Sequence, residues 1–177
     1  MKHLIAFTGP AGCGKTTAAK YLVWQHGFIR IRFADPLKLM LSALGLSEDE
    51  LDGDAKERPS EILCGRTPRW AMQSLGTEWG RDCISKDLWT RAWKRECERI
   101  GGSVVVDDCR FQNEADVIAK ESGLIVRIVG RATKIAGDHI SEHGDIPARV
   151  IITNDGTVED MQKQIDDLMR DLSWVRA

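Results

Sequence analysis

The 177-residue sequence has no large excess of one charge and no long block of one sign. It contains 25 Lys and Arg against 27 Asp and Glu, which gives a net charge of -2. Proteins that coat DNA or RNA carry clustered basic surfaces that neutralise the phosphate backbone. The charge balance therefore argues against a nucleic acid polymer as the partner.

Paired cysteines and long apolar runs are missing as well. The five cysteines are odd in number, lie far apart and form no C-x-x-C pair, which argues against a disulfide framework or a zinc knuckle and for reduced thiols. No apolar run approaches the roughly 20 residues that span a bilayer, and Met1-Lys2-His3 leads into a strand-like segment without the apolar core of a signal peptide. We expect no membrane association and a cytoplasmic location.

What the sequence does contain is an alternation of strand-like and helix-like segments. The apolar runs are nearly continuous, which is typical of strands covered on both faces in a parallel sheet. These five predicted strands are Leu4 to Thr8, Phe28 to Phe33, Val104 to Val106, Leu124 to Val129 and Val150 to Thr153. Segments with helical periodicity lie between them, so the sequence predicts an α/β fold with a parallel sheet.

Two connections are longer than a simple crossover requires. About 70 residues separate the second and third strands, which predicts an inserted helical region over about residues 36–100. Within it, Asp35-Pro36 and Thr67-Pro68 are each expected to cap and start a helix, and the tryptophans Trp79, Trp89 and Trp93 are expected in the core. The second long connection, about 130–148, has little apolar content and is typical of a lid.

A phosphate-binding motif follows the first predicted strand. Residues 9–16 fit G-x-x-x-x-G-K-[ST] at every required position and lead into a helix. Glycines let successive backbone N–H groups turn toward a phosphate, Lys15 would reach the β- and γ-phosphates of ATP, and the Thr16 hydroxyl would bind Mg²⁺. The predicted ATP-binding residues are Gly9, Ala11, Gly12, Cys13, Gly14, Lys15, Thr16 and Thr17.

Carboxylates follow the third predicted strand. Asp107 and Asp108 come directly after Val104 to Val106, where a carboxylate can hold Mg²⁺ beside the threonine of the phosphate-binding loop. Neighbouring strand residues point to opposite faces, so only one of the two can face the site, and the choice stays open. The predicted metal ligands are Thr16, Asp107 and Asp108.

Three further blocks carry a resemblance to a known family. They are F-A-D-P-L-K at 33–38, T-P-R-W-A-M-Q-S-L-G-T-E-W-G-R at 67–81 and D-C-R-F-Q-N-E at 108–114. With these blocks the chain resembles the bacteriophage deoxynucleoside monophosphate kinases of the P-loop nucleoside monophosphate kinase superfamily. The resemblance implies a three-layer fold with a five-stranded parallel sheet, an inserted acceptor region and a short lid. It also implies the reaction ATP + dNMP = ADP + dNDP, with Mg²⁺, in phage DNA precursor synthesis.

The acceptor and transfer residues come from the same blocks. The resemblance implies that Asp35 and Lys38 lie at the dNMP site and that Arg131 is the lid arginine. Guanidinium groups can grip a phosphate bidentately, and Trp70 and Gln73 lie one helical turn apart, where they could stack on a base and read its edge. The predicted acceptor-binding residues are Asp35, Lys38, Arg66, Arg69, Trp70, Gln73 and Arg110, and the predicted catalytic residues are Lys15, Arg131, Arg110 and Asp35.

Other functions remain open at this stage. Another small-molecule P-loop kinase, acting on phosphomevalonate or dephospho-coenzyme A, would use the same donor site, whereas Trp70 and Gln73 favour a base as acceptor. A nucleotide-dependent switch is the alternative outside enzymes, but the N-K-x-D tetrapeptide that reads guanine is missing. The sequence also leaves open the bases accepted, a homodimer, and whether Asn154-Asp155-Gly156 contacts adenine or forms only a turn and cap.

Overall fold

The protein is built around one parallel sheet of five strands. The structure, a computed structural model, describes residues 3–130 and 146–174. The strand order is β2-β3-β1-β4-β5, and every neighbouring pair is parallel. The strands are β1 (Leu4–Thr8), β2 (Ile29–Arg30), β3 (Val104–Val106), β4 (Leu124–Val129) and β5 (Val150–Thr153). This sheet confirms the predicted α/β fold, and four of the five strands have the predicted bounds.

The second strand is much shorter than predicted. Only Ile29 and Arg30 form β2, against the predicted Phe28 to Phe33. The strand lies at the edge of the sheet, and its one partner, β3, is itself three residues long. Ile31 donates one further hydrogen bond, to the Val105 carbonyl oxygen at 3.1 Å, and the ladder ends there.

The order of the strands brings the ends of β1 and β3 together. Leu4 pairs with Val104 and Ala6 with Val106, so the loop after β1 and the carboxylates after β3 leave the same edge of the sheet. Open α/β sheets bind ligands at the carboxyl ends of their strands. All five residues of β1 are buried, as are all three of β3, which fixes this pair in the core.

The chain divides into two compact units. The first contains the described residues of Met1–Arg32 and Cys97–Ala177, and the second is Phe33–Glu96. The first unit holds the sheet together with the helices α1 (Lys15–His26), α6 (Gln112–Lys120) and α7 (Val158–Trp174). Thr157 and Asp160 form the cap of helix α7, where the Thr157 amide donates to the Asp160 carboxylate at 2.8 Å. Its apolar side chains Met161 and Ile165 pack into the core of the sheet.

The second unit is helical and has its own small core. It contains α2 (Asp35–Ala43), α3 (Glu48–Asp52), a 3-10 turn (Asp54–Glu57), α4 (Pro68–Ser74) and a π-helix (Leu75–Ile84), and α5 (Leu88–Ile100) starts within it. The residues buried in its core are Leu37, Leu41, Leu46, Leu51, Ala71 and Trp89. That this region binds an acceptor stays a prediction.

The two predicted proline starts have different outcomes. Thr67 caps α4 as expected, since its hydroxyl accepts a hydrogen bond from the Trp70 amide at 3.1 Å. The expectation that Asp35 caps α2 is wrong, because Ala34 occupies the N-cap position and Asp35 is the first helical residue. In that first turn its carboxylate lies at the positive end of the helix dipole.

A π-helix in the second unit accounts for another difference from the sequence prediction, which is the exposure of Trp79. The helix that starts at Pro68 continues after Ser74 with the wider turns of a π-helix. Within it, the Gly76 carbonyl accepts a hydrogen bond from Trp89 Nε1 at 2.8 Å, and a Cβ on Gly80 would collide with the Trp89 ring. Trp89 and Trp93 are buried as expected, but the expectation for Trp79 is wrong, since 42% of its surface is exposed.

Candidate functional site

The phosphate-binding loop has the backbone conformation that its glycines allow. Gly9, Gly12 and Gly14 have φ values of +133°, +75° and +105°, which side-chain-bearing residues rarely adopt. A Cβ on Gly9 would collide with the Ile128 carbonyl oxygen, and one on Gly14 would lie 2.7 Å from Asn154 Nδ2. Both glycines are therefore required by close packing as well as by backbone angle. Helix α1 begins directly after this loop.

Lys15 is the first residue of α1 and folds back over the loop. Its Nζ donates to the carbonyl oxygens of Gly9 and Pro10, both at 2.7 Å, and the residue is buried. The side chain of Cys13, by contrast, belongs to the core of the sheet. Cys13 therefore presents no side-chain group to a phosphate, whereas Lys15 presents a positive charge.

Thr16 and Asp107 are brought together by the pairing of β1 with β3. Thr16 Oγ1 donates to Asp107 Oδ2 at 2.8 Å, and Asp107 is buried. Asp108 is half-buried. Of the two aspartates between which the sequence left the choice open, Asp107 makes the contact with Thr16. A hydroxyl beside a carboxylate is an oxygen donor set that suits Mg²⁺, which takes its remaining ligands from phosphates and water.

Arg30 also binds Asp107, and the sequence analysis missed it. Arg30 Nε donates to Asp107 Oδ1 at 2.9 Å, and Arg30 Nη2 donates to Asp107 Oδ2 at 2.6 Å. Such bidentate pairing is the strongest arrangement of an arginine and a carboxylate. Arg30 pairs with Val105 in the register of β2 and β3, so Asp107 lies two residues further along the neighbouring strand. A charged residue inside an apolar strand was the available signal.

These contacts set the ionisation of Asp107. Burial raises the pKa of this carboxyl, but the hydrogen bonds and charge of Arg30, the Thr16 hydroxyl and the charge of Arg32 outweigh burial. The pKa of Asp107 is therefore below its ordinary value, and the group is ionised at neutral pH. A buried carboxylate that keeps its charge can act as a metal ligand.

Asn154 is a second residue whose side-chain contact sequence reasoning did not find. It follows β5, and its Nδ2 donates to the Cys13 carbonyl oxygen at 2.9 Å. Its amide donates to the Val129 carbonyl oxygen at 2.7 Å, which holds the turn against the end of β4. The buried Asn154 side chain therefore connects the end of β5 to the phosphate-binding loop that follows β1.

The predicted acceptor residues of the second unit lie on or next to α2 and α4. Lys38 forms an ion pair with Asp52, and Arg69 forms one with Glu57. The Arg66 guanidinium lies 4.8 Å from the centre of the Trp70 ring, a cation–π contact. Trp70 is nonetheless 48% exposed. Asp35 and Gln73 are half-buried on the same two helices.

The predicted transfer residues are only partly within the described ranges. Arg110 follows β3, and its amide donates to the buried Glu114 carboxylate at 2.7 Å, as does the Phe111 amide at 3.1 Å. Glu114 therefore fixes the backbone on which Arg110 is carried. Arg131 lies outside the described residues, as does most of the predicted lid at 130–148.

Two features are missing from the described ranges, 3–130 and 146–174: a protein-only metal cluster and a membrane-spanning helix. No group of three or more His, Cys, Asp or Glu side chains there could hold a metal ion by itself. No helix there is long and apolar enough to cross a membrane. A metal at Thr16 and Asp107 would therefore need further ligands from a bound nucleotide or from water.

The sequence matches one family model and a curated viral protein. The family model described as "Deoxynucleotide monophosphate kinase" matches residues 60–165. A protein of Acanthamoeba polyphaga mimivirus, named "Putative deoxynucleotide monophosphate kinase", is 35% identical over 183 aligned positions, covering 92% of this chain and 93% of that protein.

Among solved structures, the shikimate kinase of Bacteroides thetaiotaomicron has a TM-score of 0.52 at 16% identity, covering 95% of this chain and 98% of that one. The shikimate kinase of Aquifex aeolicus also gives 0.52, at 12% identity, with coverage of 96% and 98%. At these identities the likeness concerns the fold alone, which is that of the P-loop kinases.

Proposed function

The chain belongs to the deoxynucleotide monophosphate kinase family, and from that premise we propose that it transfers the γ-phosphoryl group of ATP to a deoxynucleoside monophosphate with the help of Mg²⁺. The products are ADP and the deoxynucleoside diphosphate. The observation that carries the proposal is the meeting of Lys15, Thr16 and Asp107 at the carboxyl ends of β1 and β3.

The donor half of the proposal rests on the loop at 9–16. Its backbone N–H groups and the start of α1 provide a cradle for the phosphates of ATP. Lys15 is held by two neutral carbonyl oxygens, 2.7 Å from its ammonium. Hydrogen bonds to charged phosphate oxygens are stronger than those to neutral carbonyls. The bound nucleotide would therefore draw Lys15 onto its β- and γ-phosphates.

The metal half rests on Thr16 and Asp107. Thr16 would supply a direct ligand, and Asp107 would bind the ion directly or through a water molecule. When bound, Mg²⁺ neutralises charge on the β- and γ-phosphate oxygens. Asp108, the second predicted ligand, directly follows Asp107 and is half-buried, and we propose it as the neighbouring carboxylate of this metal site.

The acceptor half is assigned to the second unit. Trp70 and Gln73 would hold the base, and Arg66, Arg69 and Lys38 would hold the phosphate, with Asp35 next to the sugar or the attacking phosphate. Lys38 is paired with Asp52 and Arg69 with Glu57. A phosphate dianion would compete with those carboxylates for the same donors.

The transfer itself would be direct and in-line. The protein supplies position and charge neutralisation, so no phosphoenzyme is formed. Arg110 and the lid arginine Arg131 would neutralise the transferring phosphoryl group, and closure of the lid at about 130–148 would exclude water as a competing acceptor. We further propose a cytoplasmic enzyme that supplies DNA precursors in cells infected by a phage or another virus, with a homodimer to be tested by light scattering.

The test is a direct assay of the four dNMPs. The protein is incubated with Mg²⁺-ATP and each dNMP, with each matching ribonucleotide, and without acceptor, and the nucleotides are then separated. We expect conversion of at least one dNMP to its diphosphate with little loss of ATP in the blank. Loss of ATP that is independent of acceptor, or no loss in any mixture, would contradict the proposal. Lys15→Met is the matched variant, and it should abolish transfer.

A further inference from the structure

The carboxylate proposed to hold Mg²⁺ is already occupied by a cation of the protein. Arg30 binds both oxygens of Asp107, at 2.9 and 2.6 Å, and Thr16 binds Oδ2 at 2.8 Å. The Asp107 side chain is 2% exposed, whereas that of Arg30 is 25% exposed. The negative charge on which a metal would rely is therefore paired in the protein without nucleotide.

The pairing follows from the register of the sheet. Arg30 lies opposite Val105, and Asp107 is the second residue after Val105, so both lie on one face of the sheet. The span suits an arginine side chain, whose planar fork matches a carboxylate. The edge strand β2 carries the guanidinium, and the carboxylate is on the first residue after β3, directly at the end of that strand.

We propose that Arg30 is a positioning residue that locks Asp107 against Thr16 and cancels its charge, so that the metal is bound as its nucleotide complex and not as a free ion. This rests on the proposed metal site of Thr16 and Asp107. Opposite charges a few ångströms apart attract each other, and the positive charge of Arg30 would repel a free divalent ion at the same carboxylate. The phosphates of ATP bring the negative charge that the paired carboxylate lacks.

The test measures binding of Mn²⁺ alone, without nucleotide, to the full chain by the electron paramagnetic resonance signal of the free ion. We expect weak binding by the wild type and binding about tenfold tighter or more by Arg30→Met, which removes the charge and keeps the apolar stem. Arg30→Lys keeps a charge beside Asp107 and should stay within about threefold of the wild type. An affinity of Arg30→Met equal to that of the wild type would overturn the proposal.

A double variant shows whether the gain acts through Asp107. Adding Asp107→Asn to Arg30→Met should return the Mn²⁺ affinity to the wild-type value, and a gain that persists in the double variant also overturns the proposal. If circular dichroism shows Arg30→Met to be unfolded, Arg30→Gln, which retains an N–H donor without the charge, replaces it with the same expectation. A role confined to folding would lower the melting temperature without creating Mn²⁺ binding.

Kinetics separate this proposal from the proposed function. Asp107→Asn should lose Mg²⁺-dependent kinase activity if the metal site is right, and full activity in that variant would contradict the site itself. If Asp107→Asn is inactive but Arg30→Met shows no gain in Mn²⁺ affinity, only the role of Arg30 fails. In Arg30→Met, free Mg²⁺ in excess over ATP should inhibit the kinase, because the bare ion then competes with the nucleotide complex at Asp107, and it should not inhibit the wild type.

Discussion

Asn154 Nδ2 donates a hydrogen bond of 2.9 Å to the carbonyl oxygen of Cys13, and this bond joins the turn after β5 to the middle of the phosphate-binding loop. The bond is buried and spans 141 positions of sequence. The bond holds the Cys13 carbonyl group, which could otherwise turn toward the bound phosphate and repel it. A loop that must present N–H groups needs its carbonyls held elsewhere.

Asn154→Ala should therefore weaken ATP binding more than it weakens the fold. Removing the donor leaves the Cys13 carbonyl buried and unsatisfied, at a cost of about 1–3 kcal/mol. Because the loop then loses its preorganised shape, we expect the Kd for ATP to rise about tenfold, measured by calorimetry. Gln164→Ala is the matched control: Gln164 bonds the amide and the carbonyl of Thr153, and its loss should lower stability but leave ATP affinity unchanged. Equal loss of affinity in both variants would contradict a specific role for Asn154.

Gly14→Ala should abolish nucleotide binding, whereas Gly27→Ala should not. Both glycines have positive φ, +105° and +67°, so both variants incur backbone strain of about 1–2 kcal/mol. Only at Gly14 does an added Cβ also meet a neighbour, Asn154 Nδ2 at 2.7 Å, while at Gly27 nothing lies within 4 Å. ATP affinity and melting temperature, measured together, separate strain from collision. Retained ATP binding by Gly14→Ala would show that the loop can relax.

The sequence predicted the bounds of four of the five strands because an apolar run is a local signal, and the motif at residues 9–16 is local as well. Residues 104–106 are a continuous run of valine, and the loop motif fixes its own glycine, lysine and threonine positions. The length of β2 is not local, since it depends on how many residues the short partner β3 can pair. The role of Arg30 could not be predicted for the same reason, because its contact with Asp107 follows only from the register of two strands that are far apart in sequence.

Trp79 shows a different limit of sequence reasoning. The sequence predicts a helix that starts at Thr67-Pro68 and places Trp79 in the core, and that expectation assumes a period of 3.6 residues per turn. The segment Leu75–Ile84 is a π-helix, which has more residues per turn, so Trp79 leaves the buried face that the α-helical period predicts. Trp89 packs on Gly76 and Gly80, and this packing allows the π-helix to form. No sequence pattern within residues 75–84 predicts that packing.

The five cysteines should divide into two reactivity classes. Cys64 and Cys83 are exposed, whereas Cys13, Cys97 and Cys109 are buried. Burial, together with the charges of Glu114 and Asp108, also raises the pKa of the Cys109 thiol well above its ordinary value. Since the thiolate is the reactive form, Cys109 should stay unmodified even when the pH is raised from 7 to 9, whereas Cys64 and Cys83 are exposed to the reagent.

Mass spectrometry of peptides after brief iodoacetamide treatment measures this division. All five cysteines should react once the protein is unfolded in guanidinium, which serves as the control. Alkylation of Cys13 should need unfolding too, so that loss of ATP binding and modification of Cys13 appear together. Rapid modification of Cys109 in the folded protein would contradict its burial.

Substitution of Trp70 should weaken binding of the dNMP acceptor and leave binding of the ATP donor unchanged. The ring is 48% exposed and carries the Arg66 guanidinium at 4.8 Å, so a base that stacks on it would share the contact with a cation. Stacking of a base on an aromatic side chain contributes about 1–3 kcal/mol, so Trp70→Leu should raise the KM for dNMP about tenfold or more, with the KM for ATP unchanged. Trp70→Phe, which keeps an aromatic face, should retain most of the affinity. Trp79→Leu is the matched control, because Trp79 has a similar exposure of 42% in the same unit. Steady-state kinetics with dNMP and ATP varied separately measure the two KM values. An equal rise in the KM for dNMP in Trp70→Leu and Trp79→Leu would indicate general damage to the second unit and contradict a base contact at Trp70.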